Sequence, residues 1–301
     1  MSQKRDVIVE VRVPLVMEDG IGRAGIAAGR DEERAGRYAA ALLAEIRANA
    51  GQFEDCRAVA VRFGGGQATA LGEGLFTCLR ELRKCLEVAP EATVSVNAGL
   101  SDFSAATATW FMRMRATRFD IEALSLDPIA FGALLPHDRL GVIPLIKEGY
   151  LQIPSHNRMG YVLTFGYELP GKASAETSLA RCLRTVVASD AEHVTLVQLL
   201  KGACGTARPA PTGVAAAQLA QARAALLEGG FAEYLPLKFA RPGREDPFFA
   251  RDATGAERIG FGAGAATLID GVRSVNTANI ELYCEKSGDF EAITASVEQV
   301  G

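Results

Sequence analysis

Apolar and polar residues alternate at the start of the chain in the manner of a strand with one buried face. The stretch Asp6–Val13, DVIVEVRV, carries this pattern and ends at Pro14, which has no amide hydrogen for a sheet. Apolar residues recur at helical spacing from Asp31 to Ala48, and the β-branched run Val59–Val61 then predicts a buried strand. Strand, helix and strand in this order form the unit from which parallel sheets are built.

The same alternation continues to residue 199. Strands are predicted at Thr93–Val96, Ile121–Leu126, Tyr161–Phe165 and His193–Leu199, and helices at Leu75–Leu86, Ala105–Met114, Leu140–Glu148 and Glu176–Val187. Right-handed crossovers place each helix on the same side of the sheet, so six such units predict an α/β fold, an incomplete (β/α)6 barrel of parallel strands. Beyond the helical stretch Gly213–Leu227, short strands and glycine-rich loops predict a small β-containing appendage. We therefore expect a barrel over residues 1–211 and an extension over residues 212–301 that closes its open side.

Three consecutive glycines, Gly64, Gly65 and Gly66, directly follow the second predicted strand. Glycine has no Cβ and adopts left-handed dihedrals, so this loop can form a shelf on which a ligand contacts bare backbone amides. The alternative is a tight turn that binds nothing. The loop is not a Walker phosphate loop, because no Gly-Lys-Ser or Gly-Lys-Thr follows Gly66.

Composition narrows the possible partners. The net charge of −4 and the lack of a Lys/Arg run argue against nucleic acid as a partner. The sequence shows neither a secretory signal pattern nor an apolar run long enough to span a membrane, so we expect a cytoplasmic protein that does not bind membranes. The six cysteines lack the close pairs of metal or redox motifs, and in a reducing compartment we expect free thiols.

Five segments of this chain carry a resemblance to one family: Phe63–Gly66, Thr93–Gly99, Leu169–Gly171, Phe239–Gly243 and Gly260–Ala265. Together they resemble the oxygen-independent coproporphyrinogen III oxidases and related haem chaperones of the radical S-adenosylmethionine superfamily. Phe63–Gly66 is similar to the family's Phe-Gly-Gly-Gly-Thr-Pro-Ser loop, and Thr93–Gly99 to its strand Thr-Leu-Glu-Ala-Asn-Pro-Gly. Leu169-Pro170-Gly171 resembles its Gly-Leu-Pro-Gly-Gln-Thr turn. Phe239–Gly243 and Gly260–Ala265 resemble its Asn-Phe-Ala-Arg-Pro-Gly and Gly-Leu-Gly-Pro-Gly-Ala-His segments. The resemblance covers nearly the whole chain and implies the partial barrel of that family.

The chain departs from the family at the iron site. The family's first strand leads into Cys-x3-Cys-x2-Cys, whose thiolates hold a 4Fe–4S cluster with one iron open to S-adenosylmethionine. The matching positions here are Val16, Gly20 and Arg23, and no cysteine lies between Leu15 and Arg30. Because an iron–sulfur cluster needs thiolates or similar ligands, we do not expect one here. The alternative is a cluster rebuilt from distant cysteines such as Cys56 or Cys78.

The positions that the resemblance assigns to S-adenosylmethionine are also changed. The family's glutamate on the third strand, glutamine on the fourth and aspartate on the fifth fall on Ser95, Ile129 and Thr164. The residues that remain as candidate cofactor contacts are Gly64, Gly65, Gly66, Asn97, Gly262 and Gly264. In the haem chaperones a His-Asn pair is tied to haem, and the matching residues here are Phe248 and Phe249, which could face a porphyrin plane. S-adenosylmethionine or haem stays possible as a cofactor.

These observations leave the question of enzyme activity open. Our leading hypothesis is a cluster-less relative that works as a non-radical binding or accessory protein, for haem or another tetrapyrrole, an S-adenosyl compound or a protein partner. The alternative is an active radical enzyme of porphyrin metabolism or methyl transfer with non-standard cluster ligands, which would be a coproporphyrinogen III oxidase-like oxidoreductase. A third possibility is a small-molecule enzyme that uses the old pocket without iron. We assign no catalytic or metal-binding residue from the sequence.

Overall fold

A computed structural model gives the fold of most of the chain. It describes residues 4–15, 32–99, 111, 113–134, 158–200 and 206–300. The predicted helix Leu140–Glu148 and most of the predicted helix Ala105–Met114 lie outside the described residues.

The strands within these ranges are numbered in chain order. They are β1 Arg5–Arg12, β2 Cys56–Gly64, β3 Glu87–Gly99, β4 Arg118–Leu124, β5 Arg158–Phe165, β6 Tyr167–Glu168, β7 His193–Gln198, β8 Arg208–Pro209, β9 Ala232–Leu235, β10 Lys238–Ala240, β11 Arg258–Phe261, β12 Ala266–Ile269, β13 Val272–Asn276 and β14 Thr294–Gln299. The predicted strands of the barrel are thereby confirmed, and β2 and β3 are longer than predicted.

The α-helices of the described ranges alternate with the parallel strands and then continue into the carboxyl-terminal part. They span Glu32–Ala48, Glu73–Cys85, Pro128–Leu134, Ala175–Val187, Thr212–Glu228, Pro247–Asp252, Ile280–Lys286 and Phe290–Ile293. Within the described parts of the chain, no helix has both the length and the apolar character required to cross a bilayer.

One short helix corrects the sequence prediction. The pattern predicted a strand that continues to Leu126, but β4 ends at Leu124 and the helix Pro128–Leu134 begins soon after it. The Asp127 carboxylate accepts from two backbone amides of the first helical turn, both at 3.1 Å, and Pro128 occupies the first helical position. This cap and this proline start a helix that the hydrophobic pattern does not predict, because apolar residues lie on both sides of its first residue.

Twelve of the strands form one sheet, in the order β14-β13-β12-β11-β1-β2-β3-β4-β5-β7-β10-β9. Every neighbouring pair from β11 to β7 is parallel, whereas the strands beyond β11 and beyond β7 are antiparallel. The expected mixed α/β architecture with a mostly parallel sheet is confirmed. The carboxyl-terminal strands extend this sheet at both of its edges.

The sheet is strongly curved. The Phe249 ring lies 4.4 Å from Arg62 Cζ on β2 and 3.5 Å from Lys238 Nζ on β10. Five strand-to-strand steps separate β2 from β10 in the sheet, which would be about 24 Å in a flat one. One ring can therefore contact both side chains only because the sheet bends into a partial barrel. The convex face packs against the helices through a large apolar core that includes Leu42 and Leu79.

Candidate binding site in the barrel lumen

The inside of the curved sheet, which we call the lumen, is lined mainly by polar and small residues. Gly160 on β5 identifies this face, because a Cβ at its position would lie 2.5 Å from Asp120 Oδ1 and 3.2 Å from an Arg118 nitrogen. Side chains alternate between the two faces of a strand, so every second residue shares the lumen. By this alternation the lining includes Arg62 and Gly64 on β2, Ser95, Asn97 and Gly99 on β3, Arg118, Asp120 and Glu122 on β4, Gly160, Val162 and Thr164 on β5, His193 and Thr195 on β7, and Lys238 on β10.

Arg62 is the centre of a buried network of charged side chains in the lumen. Its Nη1 donates to Asp120 Oδ2 at 2.8 Å and to Asp246 Oδ2 at 3.2 Å. Its Nη2 donates to Asn97 Oδ1 at 2.6 Å, and Asn97 Nδ2 in turn donates to Glu122 Oε1 at 3.3 Å. The guanidinium therefore connects three strands with the segment just before the helix Pro247–Asp252.

Arg118 is the second cation of the network, and its side chain is fully buried. Its Nε and Nη2 each lie 3.3 Å from Asp120 Oδ1, and its Nε lies 3.4 Å from Asp246 Oδ2. Asp246 also accepts from the Phe248 amide at 2.9 Å and so caps the helix that follows. Two guanidiniums and two carboxylates thus pair with one another, as buried charges require, and no side chain among the four is more than 9% exposed.

The electrostatics of the lumen follow from burial and from these pairs. Burial alone would raise the pKa of Asp120, but the charges of Arg118 and Arg62 outweigh it and hold that pKa well below its usual range. Burial, followed by the charge of Arg118, lowers the pKa of His193 well below its ordinary value, so this imidazole is neutral at pH 7. His193 Nε2 lies 2.9 Å from the Tyr234 hydroxyl, while its Nδ1 is buried and has no hydrogen-bond partner in the described ranges.

The glycine shelf predicted from Gly64, Gly65 and Gly66 lies where β2 ends. The Gly64 carbonyl accepts from the Val13 amide at 2.6 Å and joins this end of β2 to β1. Gly65 has a φ of +82°. Within the described part of the chain, backbone hydrogen bonds include none from the Gly65 or Gly66 amide. Neither amide has a backbone acceptor among the described residues, and the role of these glycines as cofactor contacts stays a prediction.

We expect Gly65→Ala to lower the free energy of unfolding by about 1 to 3 kcal/mol. The positive φ is strained for alanine, and the new Cβ would lie 2.5 Å from Arg12 Cγ. Gly171→Ala is the matched control, because Gly171 has a φ of +72° and a Cβ added there would meet nothing within 4 Å. Urea unfolding should show a larger loss for Gly65→Ala, and Arg12→Ala should remove the difference. If Gly65→Ala and Gly171→Ala lowered the free energy of unfolding equally, both in the wild type and with Arg12→Ala, the close contact with Arg12 would be contradicted.

The other two predicted glycines, Gly262 and Gly264, belong to a loop whose amides are already used. The Gly262 amide donates to Glu45 Oε2 at 2.7 Å, and the Gly264 amide donates to the Thr277 carbonyl at 2.9 Å. A Cβ on Gly262 would collide with the Arg12 carbonyl. The close approach to Arg12 therefore explains by itself why residue 262 is glycine. A cofactor contact at this loop stays a prediction.

Of the other positions that the resemblance matched to S-adenosylmethionine contacts, some lie in the lumen and one does not. Asn97 lies in the lumen, but both ends of its amide are engaged by Arg62 and Glu122. Ser95 and Thr164 also lie there, and within the part of the chain that the structure describes their buried hydroxyls have no hydrogen-bond partner. Ile129, which the resemblance matched to the glutamine of the family's fourth strand, lies in the helix Pro128–Leu134 with 52% of its surface exposed. This helix starts at the Asp127 cap, after β4 has ended.

Phe248 and Phe249 do not form a flat surface. Their rings are 5.7 Å apart at an angle of 83°. Phe248 is buried against Ile8 and Ala60, which lie in the middle of β1 and β2, and Phe249 lies next to the cations of Arg62 and Lys238. The two rings therefore fill part of the lumen.

The thiols that the structure describes do not fit an iron–sulfur cluster. Cys56, Cys78, Cys85, Cys182 and Cys284 are free, as expected. Burial raises the pKa of Cys56 to about 11, that of Cys78 to about 12 and that of Cys182 to about 11, which disfavours the thiolate form that binds iron. No group of three or more potential metal ligands occurs among the described residues.

The three positions that match the family's cluster thiolates, Val16, Gly20 and Arg23, lie outside the described residues, as does Cys204. The sequence alone shows that Val16, Gly20 and Arg23 carry no sulfur.

Sequence reasoning missed most of the lumen network. The signal was present in β4, RFDIEAL, where Arg118, Asp120 and Glu122 alternate with apolar residues although all seven residues are buried. Alternating charges in a strand covered by helices on one face indicate that the other face lines a polar interior. Arg62, within the apolar run before the glycines, carries the same signal.

The curved, mostly parallel sheet with helices on its convex face defines an α/β partial-barrel protein, the fold found in radical S-adenosylmethionine enzymes. The solved structure of coproporphyrinogen III oxidase from Escherichia coli, a radical S-adenosylmethionine enzyme, matches 100% of this chain and 73% of its own, with 15% identity and a TM-score of 0.79. This confirms the predicted fold class, and at such low identity it shows the fold alone.

Other comparisons add no argument about function. A radical S-adenosylmethionine methyltransferase from Kitasatospora setae matches 53% of this chain and 28% of its own, with 13% identity and a TM-score of 0.39. Methylornithine synthase matches 62% of this chain and 52% of its own, with 11% identity and a TM-score of 0.41. No protein-family model matches the sequence, and no curated protein matches it.

Proposed function

We propose that this chain is a non-radical binding or accessory protein built on a coproporphyrinogen III oxidase-like barrel. Its ligand is a tetrapyrrole such as haem, or an S-adenosyl compound, and it works alone or with a protein partner. The observation that carries the proposal is the donor set: no sulfur stands at Val16, Gly20 or Arg23, and burial disfavours the thiolates of Cys56, Cys78 and Cys182.

The lumen network supports the same proposal. Arg62 and Arg118 are paired with Asp120 and Asp246, so these four charged groups balance one another within the protein. This cluster needs no charged cofactor to compensate its charges.

Polar groups of the same barrel that lack a hydrogen-bond partner among the described residues support the proposal that a ligand binds there. At the carboxyl end of β2, the Gly65 and Gly66 amides have no backbone acceptor among the described residues, and the buried hydroxyls of Ser95 and Thr164 have no hydrogen-bond partner there. Buried polar atoms are usually satisfied by protein, water or ligand. A small molecule with several acceptors would satisfy these donors.

The test is anaerobic reconstitution with iron and sulfide, followed by haem titration of the same sample. We expect iron well below the amount of a full cluster per chain, no cleavage of S-adenosylmethionine, and a Soret shift that saturates near one haem per chain. A stoichiometric cluster with broad iron–sulfur absorption and cleavage of S-adenosylmethionine would contradict the proposal and favour the radical enzyme. Loss of that absorption in Cys56→Ser or Cys78→Ser would identify the unusual ligands.

A calorimetric titration with S-adenosylmethionine on untreated protein separates the two ligand classes. Binding that weakens in Gly65→Ala but not in Gly171→Ala would assign the shelf to an S-adenosyl compound. The absence of heat together with a saturating Soret shift would favour the tetrapyrrole.

A further inference from the structure

Lys238 is a cation of the lumen that the preceding function does not use. It lies on β10, where it pairs with Thr195 of β7, and its side chain is partly buried. Its Nζ lies 3.5 Å from the centre of the Phe249 ring, and the Arg62 guanidinium lies over the same ring at 4.4 Å. The amine therefore sits beside the buried network and not on the outer surface of the barrel.

Lys238 has no carboxylate partner among the described residues, unlike several other lysines of this chain. Lys4 lies 3.2 Å from Glu87, Lys84 lies 3.2 Å from Glu81, and Lys286 lies 3.1 Å from Glu285. Within the described ranges, the ion pairs include none for Lys238. The carboxylates whose charges act on Lys238 are Asp120 and Asp246, and both are already paired with Arg62 and Arg118.

The surroundings of Lys238 favour its neutral form. Burial, followed by the charge of Arg62, lowers the pKa of Lys238 to about 8, and the charges of Asp120 and Asp246 only partly offset this. The groups that face it from the neighbouring elements are Arg62 on β2, Arg118 and Asp120 on β4, His193 on β7, Tyr234 on β9 and Asp246 before the helix Pro247–Asp252. A substantial fraction of this amine is a free nucleophile near pH 8, unlike an exposed lysine.

A second feature points to a further molecule in the lumen. The imidazole of His193, on the strand next to β10, is fully buried, and its Nδ1 lies 4.0 Å from Asp120 Oδ1 and has no hydrogen-bond partner among the described residues. Buried polar atoms without a partner are rare in folded proteins and mark places where a water or a ligand belongs. Lys238, which has no ion pair among the described residues, and His193, with its unpartnered Nδ1, thus lie on adjacent strands and both face the lumen.

We propose that Lys238 is the nucleophile of a second chemical site, which binds a small aldehyde or ketone as an imine. The ammonium first loses a proton to solvent, and the neutral Nζ attacks the carbonyl carbon to form a carbinolamine. A C–N bond forms as the C=O π bond breaks. The carbinolamine then loses its oxygen as water, so the ammonium and carbonyl compound become a protonated imine and one water. No oxidant, reductant or metal takes part. A lysine beside other cations is suited to this chemistry.

The experiment traps the imine in the full-length protein. Propionaldehyde is added at pH 8, sodium borohydride reduces the imine to a stable secondary amine, and peptide mapping gives the extent of modification at each lysine. We expect Lys238 to be modified on the order of tenfold faster than Lys84, with a rate that rises with a midpoint near pH 8. Modification at Lys238 that is no faster than at Lys84, or a midpoint near that of exposed lysines, would overturn the proposal.

Two variants act as controls for this trapping. Lys238→Arg keeps the positive charge but removes the nucleophile, so the fast adduct should disappear, whereas Lys84→Arg should leave it unchanged. If Lys238→Arg fails to fold, the labelling rates in the wild-type chain still decide the matter, because they need no variant. A fast adduct that persists in folded Lys238→Arg would refute the assignment. The iron and haem results do not depend on this outcome.

Discussion

Asp120→Asn should lower the free energy of unfolding by about 3 to 5 kcal/mol. The wild-type carboxylate accepts from Arg62 at 2.8 Å and from Arg118 at 3.3 Å, and its side chain is only 3% exposed. The neutral amide would leave two buried guanidiniums with Asp246 as their remaining carboxylate. An uncompensated charge without access to water is among the most costly defects that a single substitution can create.

A matched exposed pair separates this effect from charge loss in general. Asp6 lies 2.9 Å from Arg57, and both side chains are about a third exposed or more, so Asp6→Asn should change stability by no more than about 1 kcal/mol. Adding Arg118→Met to Asp120→Asn should recover part of the loss, because it removes one of the unpaired cations. Urea unfolding measures all three variants. A loss for Asp120→Asn as small as that for Asp6→Asn would contradict a buried network that stabilises the barrel.

Glu45 should give the chain a pH-dependent stability that Glu45→Gln removes. Its carboxylate is buried on the outer helix Glu32–Ala48 and accepts from the Gly262 amide, from Asn276 and from the Tyr283 hydroxyl. Burial raises the pKa of Glu45 to about 7, although these three hydrogen bonds act against the rise. These three hydrogen bonds hold the loop that contains Gly262 and Gly264 against the helix Glu32–Ala48.

The sign of the pH effect follows from the direction of the shift. The pKa of Glu45 is higher in the folded chain than in the unfolded one, so the folded chain holds the proton more tightly. The contribution to stability is fully present below the unfolded value of 4.5 and is lost as the pH rises through about 7. Between pH 4.5 and 8 the wild type should therefore lose about 3 kcal/mol more than Glu45→Gln does.

The measurement is urea unfolding of both proteins at half-unit pH intervals. Glu33→Gln is the control, because Glu33 lies on the same helix but is exposed, and this variant should keep the wild-type pH dependence. Parallel curves for wild type and Glu45→Gln across the whole range would contradict a carboxyl group that is protonated in the folded chain near neutral pH.

The elements around the barrel were predictable because their signals are local. Alternation in β1, helical spacing in Glu32–Ala48 and the glycines after β2 each need only neighbouring residues. Helix starts were less predictable, as the short helix that carries Ile129 shows. Its start depends on an Asp-Pro cap inside an apolar run, which periodicity does not register.

The candidate site was only partly predictable. The glycine shelf and Asn97 were visible as motifs, but the commitment of Asn97 to Arg62 and Glu122 was not. Lys238 lies between a loop and a proline-glycine stretch. No local sequence pattern predicts that its side chain will lie near Arg62 of β2.

The sequence by itself determined the order of strands and helices, the bare backbone at Gly65 and the lack of sulfur at Val16, Gly20 and Arg23. Only the tertiary structure decided which charges meet in the lumen. Arg62 pairs with residues 58 and 184 positions further along the chain, and Glu45 holds an amide 217 positions away. Contacts over such distances exist because the sheet curves and the carboxyl-terminal strands return to its edges, and no local pattern encodes that curvature.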